Sequence, residues 1–175
     1  MTEAQLGNAM DAYGSTVYRL ALTRMQNIAD AEDVYQEVFL RLWKQAAEDW
    51  DGDRAKAWLI RTTLNRCADL HRFRLRRPVL SFAEIPDLAQ PEDESRELWE
   101  AVSRLPEKAR TAVHLYYAEG YSAEEISQLM HIPAATVRTR LHRARKQLKE
   151  LLGGIDDETC VSRSDGTNFG PQRAE

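Results

Sequence analysis

The sequence predicts an all-α fold that consists of two small helical domains joined by a flexible linker. Apolar residues recur at helical spacing along most of the chain, and no segment shows the sustained alternation of a strand. Three prolines and a reversal of charge interrupt this pattern between residues 76 and 94, and proline disrupts a helix. We therefore expect helical domains at 1–77 and 95–152, a linker at 78–94 and a disordered acidic tail at 153–175.

The periodicity predicts seven helices. It places them at residues 4–25, 31–47, 54–75, 95–104, 106–119, 122–130 and 134–152. Asp30 is suited to cap the second helix, and Ser122 with Glu125 forms an S-x-x-E capping box at the start of the sixth. Pro106 suits the first turn of the fifth helix, and Gly120 suits its exit.

Composition restricts the class of protein. The 175 residues are 43% hydrophobic and 30% charged, which is typical of a globular chain and excludes wholesale disorder. No apolar run reaches the roughly 20 residues of a membrane span, and the first residues lack the pattern of a signal peptide. The two cysteines, Cys67 and Cys160, exclude a disulfide framework and a Cys-rich zinc site. We expect a cytoplasmic protein.

Catalytic and metal-binding motifs are not apparent. The sequence has no Gly-rich phosphate loop, and its four histidines show no H-E-x-x-H or comparable metal spacing. We therefore expect a protein that is not an enzyme, with no catalytic residue, no cofactor, no metal and no small-molecule substrate.

Charge is strongly segregated beneath a net charge of −4. Residues 54–83 carry a net +7 and residues 101–152 a net +4, whereas 1–53 and 84–100 each carry −6 and 153–175 carries −3. Basic patches of this kind are typical of proteins that bind polyanions. The acidic remainder opposes binding to free DNA. We therefore expect weak and salt-sensitive DNA binding by the chain alone.

The second predicted helix has an apolar residue on its polar face. Its core side carries Val34, Tyr35, Val38, Phe39 and Leu42. Leu40 falls instead among the polar residues Asp33, Gln36, Glu37, Arg41 and Lys44, with Trp43 at the margin. An exposed leucine on such a face is either a docking point for a partner protein or an ordinary surface residue, and periodicity leaves both interpretations open.

The third predicted helix combines an apolar side with a side that mixes arginine and aromatic residues. The expected core side carries Leu59, Ile60, Thr63, Cys67 and Leu70. The opposite side carries Trp58, Arg61, Thr62, Asn65, Asp69, Arg72 and Phe73. This mixture is typical of single-stranded DNA binding, in which bases stack on rings and arginines bind phosphates. The alternative is that Trp58 packs against a neighbouring helix and the arginines are solvated around it.

The sixth and seventh predicted helices form a helix-turn-helix pattern around the turn at 131–133. The core side of the seventh carries Val137, Leu141, Ala144, Leu148 and Leu151. The opposite side of its N-terminal half carries Arg138, Thr139, His142 and Arg143. A recognition helix places residues of this half against base edges in the major groove. Six basic residues and no acidic one lie between 138 and 149, which makes an ordinary surface helix the weaker alternative.

The order of these segments resembles bacterial sigma factors of the extracytoplasmic-function (ECF) type, in the sigma-70 family. DAEDVYQEVFLRLWK is similar to the polymerase-binding helix of their region two, and AWLIRTTLNRCADLHR to the promoter-melting helix that follows. LPEKARTAVHLYYAEGYSAEEISQLMHIPAATVRTRLHRARKQL is similar to their region four. The resemblance covers about residues 1–152. One departure is Met130-His131 in the turn, where the family commonly has Leu-Gly.

The resemblance implies a function and a set of site residues. Region two would bind core RNA polymerase at a coiled coil of its β′ subunit, through Asp33, Gln36, Glu37 and Leu40. A flipped base of the minus-ten promoter element would be captured by the loop Asp49–Lys56 and by Trp58, Arg61, Asn65 and Arg72. The minus-thirty-five element would be read by Arg138, Thr139, His142 and Arg143. The implied partners are core RNA polymerase (β′ and β subunits), promoter DNA and an anti-sigma factor.

Two other functions are compatible with the sequence. A stand-alone transcription regulator would use the helix-turn-helix alone and would need a dimer surface and a palindromic operator. A helical interaction module would use both basic faces to bind acidic proteins. Sequence-specific footprinting distinguishes them.

Overall fold

The structure, a computed structural model, describes residues 2–45, 52–76 and 93–153. Within these residues it contains seven α-helices, of which the fifth continues as a π-helical turn. They are α1 (Glu3–Met25), α2 (Ile28–Lys44), α3 (Gly52–Arg76), α4 (Asp93–Ser103), α5 (Glu107–Val113, with the π-turn His114–Ala118), α6 (Ala123–Met130) and α7 (Ala134–Leu151). These ranges contain no strand, and the all-α class is confirmed. Most of the expected linker and tail, at 78–92 and 154–175, lies outside the described residues.

Side-chain caps mark where several helices begin. Ser122 and Glu125 form the predicted capping box of α6, in which each side chain accepts a hydrogen bond from the backbone N–H of the other. The predicted cap of α2 is wrong, because this helix begins earlier and Asn27 accepts the hydrogen bond from the backbone of Asp30. Asp30 is instead buried and pairs with Arg74 of α3. Rules for helix ends cannot detect such a distant partner.

Helices α1, α2 and α3 pack around one apolar cluster. Its buried members are Val17, Ala21, Leu22, Met25, Ala31, Val34, Val38, Phe39, Leu42, Leu59 and Cys67. The predicted core side of α2 is therefore confirmed, with Tyr35 half-buried at its edge. Burial of Cys67 raises the pKa of its thiol to about 12, since an apolar environment disfavours the thiolate.

A second apolar cluster joins these three helices to the rest of the chain. Most of its buried members belong to the C-terminal half: Leu105, Ala112, Val113, Leu115, Ala123, Ile126, Leu129, Val137, Leu141 and Ala144. Helix α1 contributes Leu20, and α3 contributes Ile60 and Leu64. Helices α1 and α3 therefore pack against the C-terminal helices, an arrangement that we call the closed arrangement. The apolar surface removed from water stabilises it.

The fifth helix changes its winding at His114. The backbone N–H of Glu119 bonds the carbonyl of His114, which is the i→i+5 pattern of a π-helix. The wider turn brings Glu119 back over the side of the helix that carries His114, and the two side chains are nearly fully buried. The sequence predicted an uninterrupted helix here, because π-turns have no simple periodic signature.

Within the described helices, none combines the length and the apolar character that crossing a membrane requires.

Candidate polymerase-binding and DNA-binding surfaces

The exposed side of α2 brings together the four residues assigned to polymerase binding. Asp33 and Gln36 are exposed and Glu37 is partly buried. Leu40 is 51% exposed, although it is apolar and belongs to a helix that packs against α1 and α3. The four residues share one side of α2 because they are spaced at three and four positions. We call this side, defined by these four residues, the α2 face.

Two features of the α2 face were not predicted. Trp43 is 41% exposed and lies three positions beyond Leu40, so a second exposed apolar side chain borders the α2 face. The helical projection placed Trp43 at the margin of the polar side and therefore did not predict its exposure. The spacing of three residues from Leu40 could have indicated it. In addition, Glu37 bonds Arg41 at 2.7 Å and pairs with Arg66 of α3. These ion pairs fix the carboxylate position on the face.

The polar side of α3 agrees with the sequence analysis in part. Arg61, Asn65 and Arg72 are exposed, and Arg72 donates a hydrogen bond to Asp69 at 2.8 Å. Trp58 is partly buried and packs against the core of α1–α3, as the packing alternative expected. The prediction that Thr62 lies on the exposed side of α3 is wrong, because Thr62 is buried.

The expected base-capturing loop lies partly outside the described residues. Residues 49–51 are among those not described. At its end, Lys56 is directed toward the C-terminal helices, where its Nζ lies 3.0 Å from a carboxylate oxygen of Glu119 and 5.4 Å from the centroid of the Tyr121 ring. In the closed arrangement this lysine is therefore engaged within the protein.

Helices α6 and α7 form the predicted helix-turn-helix. The residues that hold the two helices together are buried in one cluster: Ile126 and Leu129 of α6, and Val137 and Leu141 of α7. The turn has His131 in the left-handed conformation at φ 52°. The chain therefore makes this turn without glycine, which costs a small amount of strain that histidine tolerates better than most residues.

The four residues assigned to the minus-thirty-five element lie along the exposed side of α7. Arg138, Thr139, His142 and Arg143 are all exposed. Arg138 pairs with Glu124 of α6, and both side chains are more than half exposed. An exposed pair of this kind contributes little stability, so Arg138 can exchange this partner for DNA at low cost. Among the described residues, no group of three or more His, Cys, Asp or Glu side chains could hold a metal ion.

The fold and these surfaces define an all-α class of protein in which a helix-turn-helix shares a core with a second helical unit. Helix α3 of that second unit carries exposed arginines. Comparison with known families agrees. Sigma-70 region 2 matches residues 9–77, and Sigma-70, region 4 matches residues 95–148. The chain belongs to the sigma-70 family, and its relatives place it in the ECF group.

Curated relatives cover most of the chain. ECF RNA polymerase sigma factor SigW of Bacillus subtilis is 30% identical over 164 residues, which cover 82% of this chain and 86% of that protein. RNA polymerase sigma factor CarQ of Myxococcus xanthus is 35% identical over 149 residues, covering 79% and 84%. ECF RNA polymerase sigma factor SigE of Mycolicibacterium smegmatis is 34% identical over 161 residues, covering 86% and 62%. The chain spans only 41% of a further relative, the probable sigma factor RfaY of Xanthomonas campestris.

Solved structures share the fold. The sigma factor RpoE of Bartonella quintana, in complex with the anti-sigma factor NepR, superposes with a TM-score of 0.73 at 24% identity, covering 87% of this chain and 99% of that one. CnrH, in complex with the cytosolic domain of CnrY, superposes with a TM-score of 0.62 at 26% identity, covering 89% and 92%.

Proposed function

We propose that this chain binds core RNA polymerase and directs it to specific promoters. The observation that carries the proposal is the presence, in one chain of the sigma-70 family, of three separate exposed surfaces on α2, α3 and α7. Each surface has the chemistry of a different contact. The chain catalyses no reaction itself, because the polymerase forms the phosphodiester bonds, and it acts in the cytoplasm where the polymerase and the chromosome are found.

The α2 face supplies the polymerase contact. Leu40 and Trp43 are half-exposed apolar side chains that gain free energy when a partner covers them. Asp33 and Glu37 surround them with negative charge, which favours a basic partner surface and opposes wrong ones. The partner is the coiled coil of the β′ subunit.

Helix α3 supplies the minus-ten contact. Arg61 and Arg72 are positioned to neutralise phosphates, and Asn65 can bond a base edge. The exposed part of Trp58 offers a stacking surface for an unpaired base. Extruding a base costs a few kcal/mol, and these contacts offset that cost.

Helix α7 supplies the minus-thirty-five contact. Arg138 and Arg143 can each form a bidentate pair with guanine, and Thr139 and His142 lie between them on the same exposed side. The basic residues farther along the helix contact phosphates and set its orientation in the groove. An anti-sigma factor would control the protein by covering one or more of these surfaces.

Run-off transcription tests the proposal. Core RNA polymerase would be incubated with a library of random promoters, with and without this protein, and the transcripts sequenced. We expect initiation only when the protein is present, at sites that share two spaced upstream motifs. The absence of initiation with the cognate core enzyme, together with binding of a palindromic site by a dimer of the chain, would replace the proposal with a stand-alone regulator.

A further inference from the structure

A cavity on α3 shares only Arg72 with the surfaces described above. It has a volume of about 470 Å³ and lies in the second half of the helix, beside α2. Cavities of about 300–1,000 Å³ are the usual size of small-molecule sites in proteins. The lining combines cations, a carboxylate and an aromatic ring: Arg66, Asp69, Leu70, Arg72 and Phe73. This combination suits a ligand that has both a flat ring and a negatively charged group.

The cavity occupies a different side of α3 from Arg61 and Asn65, which were assigned to the minus-ten element. Arg66 and Phe73 are seven positions apart and therefore share one side of the helix. Successive residues of a helix turn by about 100°, so Asn65 and Arg66 leave the helix in clearly different directions. Arg66 pairs with Glu37 of α2, which places α2 along this side. A DNA strand that follows Arg61 and Asn65 would therefore pass beside the cavity.

Arg66 is held in place at the cavity by α2. Its Nε is buried and pairs with one carboxylate oxygen of Glu37, whose other oxygen accepts a hydrogen bond from Arg41 at 2.7 Å. A guanidinium group has five N–H donors in a rigid plane. The pair through Nε therefore leaves the two terminal nitrogens of Arg66 for a second anion. A phosphate fits them well, because parallel N–H donors can bond two of its oxygens at once.

Phe73 and Asp69 supply the other two kinds of contact. Phe73 is 55% exposed, so its ring offers a surface on which a nucleobase can stack. Asp69 accepts a hydrogen bond from Arg72 at 2.8 Å through Oδ1, which leaves Oδ2 for a ligand. A carboxylate can only accept hydrogen bonds. Guanine presents two adjacent donors, N1–H and its N2 amino group, whereas adenine presents one donor beside an acceptor. Asp69 therefore favours guanine.

The charges around the cavity limit the number of phosphates. Arg66 and Arg72 are offset by Glu37 and Asp69, with which they pair. These four side chains together carry no net charge, so a chain of several phosphates would meet little net attraction. A single phosphate needs only the terminal nitrogens of Arg66.

We infer that this cavity binds a free guanine nucleotide that carries one phosphate. The base stacks on Phe73 and donates to Asp69, and the phosphate bonds Arg66. The inference goes beyond the proposed function and does not depend on it, because the chain would bind the nucleotide without polymerase or promoter DNA. The site adjoins both proposed surfaces of this region, through Glu37 and Arg72.

Isothermal titration calorimetry of the full chain tests the site with four probes: GMP, AMP, guanosine and inorganic phosphate. We expect GMP to bind with a dissociation constant below about 1 mM. Each of the other probes should bind at least about fivefold more weakly, because AMP lacks the second donor, guanosine lacks the phosphate and inorganic phosphate lacks the base. Failure of GMP to bind, or equal binding of inorganic phosphate, overturns the inference.

Variants then assign the three contacts. Arg66→Gln and Phe73→Ala should each weaken the binding of GMP about tenfold. Arg61→Gln is the matched control, because Arg61 is an exposed arginine of the same helix outside the cavity, and it should bind GMP as the wild type does. Asp69→Asn should remove the preference for GMP over AMP, a change that damage to the fold would not produce. An equal loss in Arg61→Gln and Arg66→Gln would show that positive charge alone attracts the nucleotide, and would overturn the site.

Two further measurements keep the outcome unambiguous. Circular dichroism shows whether each variant keeps its helices, and Phe73→Ala decides if Arg66→Gln does not, since Phe73 is exposed and lies outside both core clusters. A single-stranded DNA of random sequence is the other source of a nucleotide. If Phe73→Ala weakens the binding of this DNA and the wild type does not bind GMP, the cavity is a DNA contact and the inference fails. The proposed function is decided separately, by run-off transcription with the wild type.

Discussion

Replacing Leu40 with aspartate should weaken binding to core RNA polymerase by roughly 100-fold. Fully burying a leucine is worth about 1.5–3 kcal/mol. Leu40 is 51% exposed in the free protein, so covering the rest is worth about 1 kcal/mol, or roughly fivefold in Kd. An aspartate there would also lose its hydration without a partner, which costs about 1–3 kcal/mol more. Leu40→Ala should therefore cost about fivefold, and Leu40→Asp about 100-fold.

The assay is a titration of fluorescently labelled protein with core polymerase, followed by anisotropy. Leu98→Asp is the matched control, because Leu98 is a leucine of similar exposure, 47%, on α4. Helicity and thermal unfolding of both variants should equal those of the wild type, since neither side chain belongs to a core cluster. Binding of a short minus-thirty-five duplex should also be unchanged.

Two results would refute this reasoning. Wild-type affinity of Leu40→Asp would remove Leu40 from the polymerase contact and leave it an ordinary exposed leucine. An equal loss in Leu98→Asp would show that added negative charge, rather than the α2 face, controls the affinity.

Four further predictions concern DNA recognition, packing and ionisation. Arg138→Ala should cost about 1–3 kcal/mol at one upstream base pair, measured on duplexes with single base changes; an equal loss on every duplex would make it a phosphate contact. Ile126→Ala should lower the free energy of unfolding by about 2–5 kcal/mol, because the Ile126 side chain is fully buried. Urea titration measures this loss. A smaller loss would mean that neighbouring side chains move in to fill the cavity. Cys67 should react slowly with a disulfide reagent at about pH 8 in a Cys160→Ser chain. The reaction should be more than a hundredfold slower in the folded state than in the unfolded state, because burial raises the pKa of the Cys67 thiol to about 12. Equal rates in the two states would contradict its burial. Burial lowers the pKa of His114, so as the pH falls below about 6.5 the imidazole takes up a proton in the unfolded chain before it does so in the folded chain. The free energy of unfolding should therefore decrease as the pH is lowered below about 6.5. The variant His114→Gln should show a smaller decrease over the same pH range.

The elements that could be predicted from sequence are those that depend on neighbours along the chain. An apolar stripe at helical spacing must be buried, and Val137, Leu141 and Ala144 are buried as predicted. The capping box at Ser122 was predictable because both partners lie within one turn. Helical periodicity also distinguished the core side of α2 from the side that carries Leu40. The roles assigned to that side and to α7 stay predictions.

The errors have a common physical cause. Asp30 has the residue type of a helix cap, yet it pairs with Arg74 across the bundle. Thr62 lies on the polar side of α3 by periodicity, yet it is buried. Trp58 is a different case, because the sequence left both its stacking and its packing interpretation open; it is partly buried because it packs against the core of α1–α3. In each case a neighbouring helix, rather than the local pattern, determined the environment of the side chain.

The sequence by itself determined the helical class, the approximate helix positions, the segregated charge and the exposed residues of α2 and α7, because periodicity and capping act within a few residues. Only the tertiary structure decided how the two helical groups meet. The bonds from Thr16 to Glu119 and from Thr23 to His114 join residues 103 and 91 positions apart, and a local change in winding at the π-turn directs two of those side chains inward. No periodic pattern encodes contacts at such separations, because they exist only when the helices are packed.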